Sequence, residues 1–447
     1  MTQIAVLGYG TVGSGVVEVL KTNHESISKK AGQEINIKYV LDLRDFPEDP
    51  IQEKIVHDYN IILNDPEVKV VVEVMGGVEP AYTFSKQALL AGKSVCTSNK
   101  ELVARHGTEL LKLAKERNLN YLFEASCGGG IPIIRPLNSS LTADEIDEIT
   151  GILNGTTNYI LTKMIQEGSD FDDVLKQAQA LGYAERNPEA DVEGYDACRK
   201  IAILSSLAFD KQVDYQDIYT EGITKITTAD IRYAKALGMT IKLLAYSRKL
   251  EGHYFAMVAP FLLGPNDPLY SVNGVFNAIF VHGNVLGDAM FYGSGAGKLP
   301  TASAVVADVV DEVMHQGKTI PVYWGEEKLT LDDLNDSRRR FLVRVKGDAA
   351  SDLAAVEAVF GHVDPVSVPE LTGEFAFVTG VISEAEYKEK AEKLGVKAYR
   401  LSFTTETQQE TEKIVRAFVD VYLRGQKPDG QMQTEETTKG HFQRGVE

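Results

Sequence analysis

Ionisable side chains gather between Glu185 and Lys200. Asp196 and Lys200 are four residues apart, and the apolar residues after them have helical spacing, so carboxylate and ammonium should share one face near a helix start. Glu185 lies earlier, just past a predicted helix end at Gly182. Carboxylates can hold a substrate ammonium group, and a lysine can deliver the proton that turns an alkoxide into an alcohol. The alternative interpretation is a solvated ion pair after an acidic loop.

A glycine fingerprint follows the first predicted strand, Ile4–Leu7. It consists of Gly8, Tyr9, Gly10, Thr11, Val12 and Gly13, and it leads directly into an apolar helix pattern. A strand before GxGxxG and a helix after it predict a dinucleotide-binding turn, because the glycines permit a tight turn, close approach of a pyrophosphate and close helix–strand packing. A plain glycine loop is the alternative.

The second predicted strand, residues 35–41, ends at the position where the cofactor ribose is normally recognised. Asp42 would suit a free 2′-hydroxyl, whereas Arg44 would suit a 2′-phosphate. The sequence therefore leaves both NAD and NADP open, and a charged surface loop is a further alternative.

Lys100 opens a helix after the predicted strand Ser94–Thr97. The positive end of the helix dipole disfavours a cation at that position. The loop also lies at the carboxyl end of a parallel strand, where open α/β sheets bind ligands. Lys100 is therefore a candidate functional residue.

Three consecutive glycines, residues 128–130, follow the predicted strand Tyr121–Ala125. A tight glycine loop exposes main-chain oxygens, and together with Glu124 these could hold a hard cation, which prefers oxygen ligands. The alternative is a flexible connector.

Composition excludes several classes of protein. The 447 residues predict two or three domains, and the hydrophobic content of 44% is that of a globular protein. The formal net charge of -18 disfavours nucleic acid and anionic membrane surfaces as partners. No apolar run is long enough for a membrane span, and three cysteines without a CxxC pair favour a reducing compartment, so we expect a cytoplasmic protein.

The order of predicted elements indicates an α/β fold with three parts. Alternating strands and helices predict a Rossmann domain over residues 1–137, and residues 298–330 belong to the same domain, with a long apolar helix from Pro300 packing back onto it. Residues 138–297 predict an α+β substrate and dimerisation domain with a largely antiparallel sheet. Residues 338–424 predict a ferredoxin-like βαββαβ domain, with a strand at 397–403 and a further helix at 407–423, and residues 425–447 predict a disordered tail.

Taken together, the motifs resemble those of homoserine dehydrogenase over residues 1–325. The resemblance rests on the fingerprint at 8–13, on Val74-Met75-Gly76-Gly77-Val78-Glu79-Pro80-Ala81, on Ser98-Asn99-Lys100-Glu101-Leu102, on residues 128–134, on Leu153-Asn154-Gly155-Thr156-Thr157-Asn158-Tyr159, and on residues 182–200. It implies NAD(P)-dependent interconversion of L-aspartate 4-semialdehyde and L-homoserine, in threonine, methionine and isoleucine biosynthesis, by a homodimer or homotetramer.

The resemblance also implies roles for individual residues. Lys200 and Lys100 would be catalytic, with Lys200 the favoured proton donor, and Glu185, Asp196 and Gly182 would bind the substrate. A monovalent cation, with sodium favoured, would be held by Glu124 and the carbonyls of Cys127, Gly129 and Ile131. The implied cofactor-binding residues are Gly8, Tyr9, Gly10, Thr11, Val12, Gly13, Arg44, Lys100, Gly182, Glu185 and Gly297.

Two alternative functions are considered beside this one. One is a phosphorylating semialdehyde dehydrogenase with Cys127 as nucleophile, but no histidine base stands in a comparable motif nearby. The other is a non-catalytic dinucleotide and amino-acid sensor, which would have no use for the proton donor Lys200.

The C-terminal part resembles the ACT regulatory module. The loop at residues 347–351 lacks the proline-glycine bend typical of an effector site. We therefore expect this module to assist assembly more than to sense threonine.

Overall fold

Six parallel strands form the first sheet of the computed structural model, which describes residues 1–394. The strands are arranged in the order β3-β2-β1-β4-β5-β6. Successive strands are added on one side of β1 as far as β3 and then on its other side from β4 onward, so the loops after β1 and β4 open onto a crevice at the carboxyl edge of the sheet. The strands are β1 (Thr2–Leu7), β2 (Ile35–Leu41), β3 (Ile55–Val56), β4 (Val68–Glu73), β5 (Ser94–Thr97) and β6 (Tyr121–Leu122). The accompanying helices are α1 (Thr11–Thr22), α2 (His24–Ala31), α3 (Tyr59–Leu63), α4 (Ala81–Leu90) and α5 (Lys100–Glu116).

The second sheet also has six strands, in the order β12-β11-β7-β9-β10-β8. Strand β11 pairs antiparallel with β7 and β12, and β7 pairs antiparallel with β9, while the short β8 runs parallel to β10. The strands are β7 (Ile146–Ile152), β8 (Tyr219–Thr220), β9 (Thr240–Leu250), β10 (His253–Leu263), β11 (Phe276–Gly283) and β12 (Gly287–Ser294). The helices in this part of the chain are α6 (Gly155–Glu167), α7 (Phe171–Ala180), α8 (Glu189–Val192), α9 (Tyr195–Phe209) and α10 (Thr228–Ala236).

Helix α11 (Lys298–Met314) returns to the first sheet, as the sequence predicts. Its buried residues Ala302, Val305 and Val309 belong to the same apolar cluster as Ile4 and Val16. The α/β fold with a parallel Rossmann sheet and a largely antiparallel second sheet is thus confirmed.

One predicted strand is wrong beyond its second residue. The sequence predicts a strand over Tyr121–Ala125, but the pairing ends at Leu122 and Glu124–Ser126 form a 3-10 turn. The Glu124 carboxylate accepts three backbone N–H groups from residues 133–135, which turns the chain away from the sheet. Beyond Pro132 the chain forms a single π-helical turn, Pro136–Ser140, rather than a regular helix.

Contacts divide the chain into two compact units, one of residues 1–224 with 241–331, the other of residues 225–240 with the chain from Asp332. In the second unit β14 (Leu342–Lys346), β16 (Glu374–Val378) and β15 (Asp364–Val366) form an antiparallel sheet beside α12 (Ala349–Phe360) and α13 (Glu384–Leu394). A short pair, β13 (Arg338–Arg339) with β17 (Ile382–Ser383), completes the unit.

Helix α10 is part of this second unit, although the sequence pattern assigned it to the substrate domain. The predicted final strand, the helix at 407–423 and the tail at 425–447 lie outside the described residues. Within residues 1–394, no helix is both long and apolar enough to cross a membrane.

Candidate active site

A buried carboxylate stands at the centre of the site. Asp196 is the second residue of α9, and only 3% of its surface is exposed. Lys200, one turn later, donates from Nζ to Asp196 Oδ2 at 2.7 Å. Lys100, the first residue of α5, brings its ammonium group against Oδ1 of the same carboxylate. The i,i+4 pairing predicted from the sequence is present, and it is a buried pair rather than a solvated one.

Asn154 joins this cluster from the start of α6. Its Oδ1 accepts from the Thr157 N–H at 2.9 Å and caps the helix. Its Nδ2 donates to Asp196 Oδ2 at 3.0 Å and to Asp191 Oδ1 at 2.7 Å. Lys200 Nζ also donates to the Leu153 carbonyl at 2.8 Å. The Asn154 side chain therefore caps α6 and at the same time binds the carboxylates of Asp191 and Asp196.

Sequence reasoning did not select Asp191, and it named Asn154 only as part of the motif at residues 153–159. The available signal was the Asn-Gly-Thr-Thr cap motif, but the bridge spans 37 and 42 residues and depends on tertiary packing. Asp191 was one of several acids in its segment, and nothing local distinguished it.

The charged groups of this cluster shift one another's pKa values. Burial alone would raise the pKa of Asp196, but the ammonium groups of Lys200 and Lys100 outweigh it and hold that pKa below its ordinary value. Burial likewise favours a lower pKa for Lys100, yet the attraction of Asp196 prevails and raises it. The pKa of Asp191 is raised, chiefly by burial and secondarily by the negative charge of Asp196. Asp196 is therefore ionised, and a cation arriving beside Asp191 would stabilise the ionised form of that carboxyl group.

Glu185 lies apart from the cluster in this structure. Its side chain is exposed in the loop between α7 and α8, and its carbonyl accepts from Gln179 Nε2 at 3.0 Å. Gly182 ends α7 with φ of +75°, a conformation that favours glycine. The loop thus begins at a glycine hinge and exposes its acid to solvent.

The fingerprint glycines have the geometry of a phosphate-binding turn. Gly8 has φ of +99° where the chain passes Met75, and a Cβ on Gly13 would lie 1.9 Å from the Gly8 carbonyl oxygen. Gly10 precedes α1 with no side-chain cap, and no atom would obstruct a Cβ there. The first N–H groups of α1, at Thr11 and Val12, therefore remain available to an anion.

At the ribose position Asp42 and Arg44 bind each other. Arg44 Nε donates to Asp42 Oδ1 and Nη2 donates to Oδ2, both at 2.9 Å. Asp42 also accepts from the Tyr9 N–H at 2.8 Å. The hydrogen bonds from Arg44 are the main reason that the pKa of Asp42 is lowered. Asp42, which suits a 2′-hydroxyl, and Arg44, which suits a 2′-phosphate, thus form one ion pair at the mouth of the crevice.

The glycine loop carries three main-chain carbonyls that could serve as cation ligands. Within the described chain, the carbonyls of Cys127, Gly129 and Ile131 accept no backbone hydrogen bond. The Glu124 carboxylate accepts from the N–H groups of residues 133, 134 and 135 at 2.6, 2.9 and 2.7 Å. Gly129 has φ of +56°, and a Cβ there would lie 2.4 Å from the Gly295 carbonyl oxygen. Carbonyl oxygens and a carboxylate are the types of ligand that a hard cation prefers.

Cys127 is unsuited to be a nucleophile. Its thiol is fully buried and lies 3.6 Å from the Lys200 carbonyl oxygen, to which it donates. Burial raises its pKa to about 12, so the reactive thiolate is scarce near neutral pH.

Gly297 is the N-cap residue of α11. Its φ is +115°, and α11 begins without a side-chain cap. A Cβ on Gly15 of α1 would lie 2.8 Å from the Lys298 carbonyl oxygen, so the starts of α1 and α11 pack closely.

Comparison with known proteins points to one family. Residues 132–310 match the family model for homoserine dehydrogenase, and residues 8–124 match its NAD-binding domain. Homoserine dehydrogenase of Bacillus subtilis is 40% identical over 87% of this chain and 93% of its own. The crystal structure of a homoserine dehydrogenase from Thiobacillus denitrificans superposes with a TM-score of 0.81 at 35% identity, over 88% of this chain and 94% of that one.

The chain belongs to the homoserine dehydrogenase family. It is an NAD(P)-dependent oxidoreductase, and the interconversion of L-aspartate 4-semialdehyde and L-homoserine expected from the sequence is confirmed. A further relative, a hyperthermophilic archaeal homoserine dehydrogenase solved in complex with NADPH, is 29% identical with a TM-score of 0.60, over 72% of this chain and 99% of that one. Neither the phosphorylating dehydrogenase nor the sensor is supported.

Proposed function

We propose that Lys200 donates the proton in this interconversion, that Lys100 assists it, and that Asp196 keeps both lysines in place. The observation that carries the proposal is the buried Asp196 carboxylate between the two ammonium groups. Two of the three Lys200 N–H groups point to Asp196 and to the Leu153 carbonyl, which leaves one for a substrate oxygen.

When bound, the reduced nicotinamide supplies the hydride. Lys200 holds the proton for the developing alkoxide, and in the reverse direction the neutral lysine takes the proton from the hydroxyl group. Asp196 remains ionised in both directions because its pKa is depressed, so it orients the lysines without losing its charge. The Lys100 side chain is 38% exposed against 9% for Lys200, which suits an assisting role at the open side of the site.

The substrate ammonium group is proposed to bind among Glu185, Asp196 and Asp191. Asp191 joins this set because Asn154 holds it beside Asp196 and because its raised pKa would fall towards the ordinary value when a cation binds. Gly182 supplies the turn from which the Glu185 loop departs.

The dinucleotide is proposed to bind at the fingerprint, residues 8–13, with its pyrophosphate at the start of α1. Gly297, Lys100, Gly182 and Glu185 complete its proposed site, and Arg44 faces the ribose. Both NAD and NADP are proposed as cofactors, since Arg44 is present but is held by Asp42.

A monovalent cation, sodium by preference, is proposed to be held by Glu124 and the carbonyls of Cys127, Gly129 and Ile131. The support is the set of three carbonyls without backbone donors. The cation would fix the glycine loop beside α9, where Cys127 already contacts the Lys200 carbonyl.

The chain is further proposed to act in threonine, methionine and isoleucine biosynthesis in the cytoplasm, as a homodimer or homotetramer. Three free, buried cysteines support a reducing compartment. Strand β12 is an edge strand that exposes Met290 and Tyr292, and such an apolar edge supports self-association.

The test compares Lys200→Ala and Lys100→Ala with Lys163→Ala. Lys163 forms an exposed i,i+4 ion pair with Glu167 and is the matched control for the buried pair. Lys200→Ala should lower kcat by about two to four orders of magnitude, the usual effect of losing general acid catalysis, while KM changes less and Lys163→Ala stays normal. Thermal unfolding of each variant shows whether a loss of activity results from misfolding. Near-normal kcat in Lys200→Ala with inactive Lys100→Ala would exchange the two roles.

A further inference from the structure

The carboxamide of Asn277 is packed between two glycines, Gly155 at the start of α6 and Gly295 in the segment that leads into α11. Asn277 is the second residue of β11, and none of its surface is exposed. On one side, a Cβ built on Gly155 would lie 3.6 Å from Asn277 Oδ1. On the other side, a Cβ on Gly295 would lie 2.0 Å from Nδ2 and 2.1 Å from Cγ. The amide therefore occupies the space that a side chain at position 295 would need.

Gly295 in turn supports the glycine loop at residues 127–131. A Cβ on Gly129 would meet the Gly295 carbonyl oxygen at 2.4 Å, and the Gly130 N–H donates to the Ser294 carbonyl at 3.1 Å. Asn277 thus contacts the start of α6 and the segment 293–297 that leads into α11, and this segment in turn contacts the proposed cation loop.

The chemistry of Asn277 differs from that of an ordinary core residue. Within residues 1–394, neither Oδ1 nor Nδ2 of this buried amide has a hydrogen-bond partner. An apolar side chain of similar size would avoid the unfavourable free energy of burying such a group. Such a group costs stability, so its presence calls for an explanation other than the packing of the core.

We propose that Asn277 is a positioning residue for cofactor binding: its carboxamide sets the path of the main chain from Gly295 to Gly297 and so the place where the dinucleotide meets the start of α11. This inference rests on the proposed cofactor site at Gly297. Asn277 acts through the backbone of Gly295, and its effect should appear as a change in the dissociation constant of the cofactor.

A double-mutant cycle tests the packing directly. The φ of Gly295 is not in the positive region that favours glycine. The three atoms nearest to a Cβ built on Gly295 all belong to the Asn277 side chain. Gly295→Ala should therefore displace the segment and raise the Kd for NADH and NADPH about tenfold or more. Asn277→Ala should also raise Kd, because the carboxamide that sets the path is lost. The double variant should bind the cofactor more tightly than the two separate losses together predict, since residues in contact are energetically coupled. Kd is measured by titrating the nicotinamide fluorescence, and Tm is recorded for each variant.

Gly155→Ala is the matched control. Its first obstacle is the backbone carbonyl oxygen of Val275, at 2.8 Å, so Asn277→Ala should not rescue it. Additive effects of Gly295→Ala and Asn277→Ala on Kd, or lowered Tm with unchanged Kd, would overturn the proposal. Failure of the unsubstituted chain to bind the cofactor, or to reduce aspartate semialdehyde, would instead refute the proposed function.

Discussion

At the scale of single residues, we expect the Asp42–Arg44 pair to determine how the two nicotinamide cofactors are distinguished. Arg44 neutralises Asp42 in this structure, so its removal would leave a bare carboxylate facing the 2′-position. Arg44→Ala should therefore lower kcat/KM for NADPH by about one to three orders of magnitude, as for a lost charge-assisted contact, and leave the value for NADH nearly unchanged. Steady-state kinetics with both cofactors provides the measurement. An equal loss with both would make Arg44 structural, through its 3.3 Å bond to the Tyr9 carbonyl.

Glu312 on α11 gives a pH dependence of stability. It is 1% exposed, accepts from Asn120 Nδ2 at 3.1 Å, and has its pKa raised from 4.5 to about 8 by burial. Between these values the folded chain binds more protons than the unfolded chain, so this stabilising contribution is complete below pH 4.5 and is lost as pH rises through 8. Glu312→Gln should remove this loss, which is at most about 1.4 kcal/mol per pH unit within the window.

Urea unfolding at pH 5, 7 and 8.5 measures the effect. The difference in free energy of unfolding between Glu312→Gln and the unsubstituted chain should grow with pH. The exposed acid Glu326, which pairs with Lys112, supplies the control Glu326→Gln. Parallel pH curves for Glu312→Gln and the unsubstituted chain would show that Glu312 does not titrate in this window.

Local rules predicted residue pairs when the partners were close in sequence. The i,i+4 spacing placed Asp196 beside Lys200, and the unfavourable dipole at the start of α5 marked Lys100. The same rules could not find the Asn154 bridge to Asp191, because it depends on how α6 packs against α8. They also placed Glu185 with the cluster, whereas the structure leaves its side chain exposed in a loop.

At the scale of elements, hydrophobic periodicity predicted the Rossmann strands well because they are buried on both faces. Strands β2 and β5 begin and end as predicted, at Ile35–Leu41 and Ser94–Thr97. The prediction for Tyr121–Ala125 was wrong past Leu122, since Glu124 binds the N–H groups of a distant turn, and periodicity carries no information about such a bond.

The N-terminus of α6 allows capping and bridging to be separated. Asn154→Ser should keep the helix cap, because serine is as good an N-cap residue as asparagine, but it should lose the bonds to Asp191 and Asp196. Tm should stay close to that of the unsubstituted chain, while KM for homoserine rises about tenfold, as for the loss of a hydrogen bond to a charged group. Asn154→Ala should lower Tm as well. Unchanged KM in Asn154→Ser would leave Asn154 with a capping role alone.

At the scale of the whole molecule, helix α10 belongs to the C-terminal unit although it lies between segments of the other unit in sequence. Its buried Tyr233 packs with Val366 and Ala376, and Arg344 binds both Asp230 and Glu374 at 3.0 Å. No local pattern marks this membership, because α10 has an ordinary amphipathic helix sequence. The apolar partners that decide it lie more than a hundred residues away.

This arrangement determines what truncation after Ser337 should do. The shortened chain would keep α10 but lose the strands that cover Tyr233, so it should bind the dye ANS and change its sedimentation profile. Substituting Tyr233→Ser and Leu237→Ser in the truncated chain should reduce the dye binding. An ordinary profile without dye binding would show that α10 needs no partner.

The response to threonine should remain weak before and after this truncation. In the first loop of the C-terminal unit, Asp348 caps α12 by accepting from Ala350 N–H at 2.7 Å, and Asp352 accepts from Asp348 N–H at 3.0 Å. These two N–H groups are therefore already occupied by carboxylates of the chain, which disfavours the binding of an effector's carboxylate to this loop. Activity measured over a range of threonine concentrations, in the full and truncated chains, checks this. Strong inhibition of the full chain that disappears on truncation would make the C-terminal unit a threonine sensor.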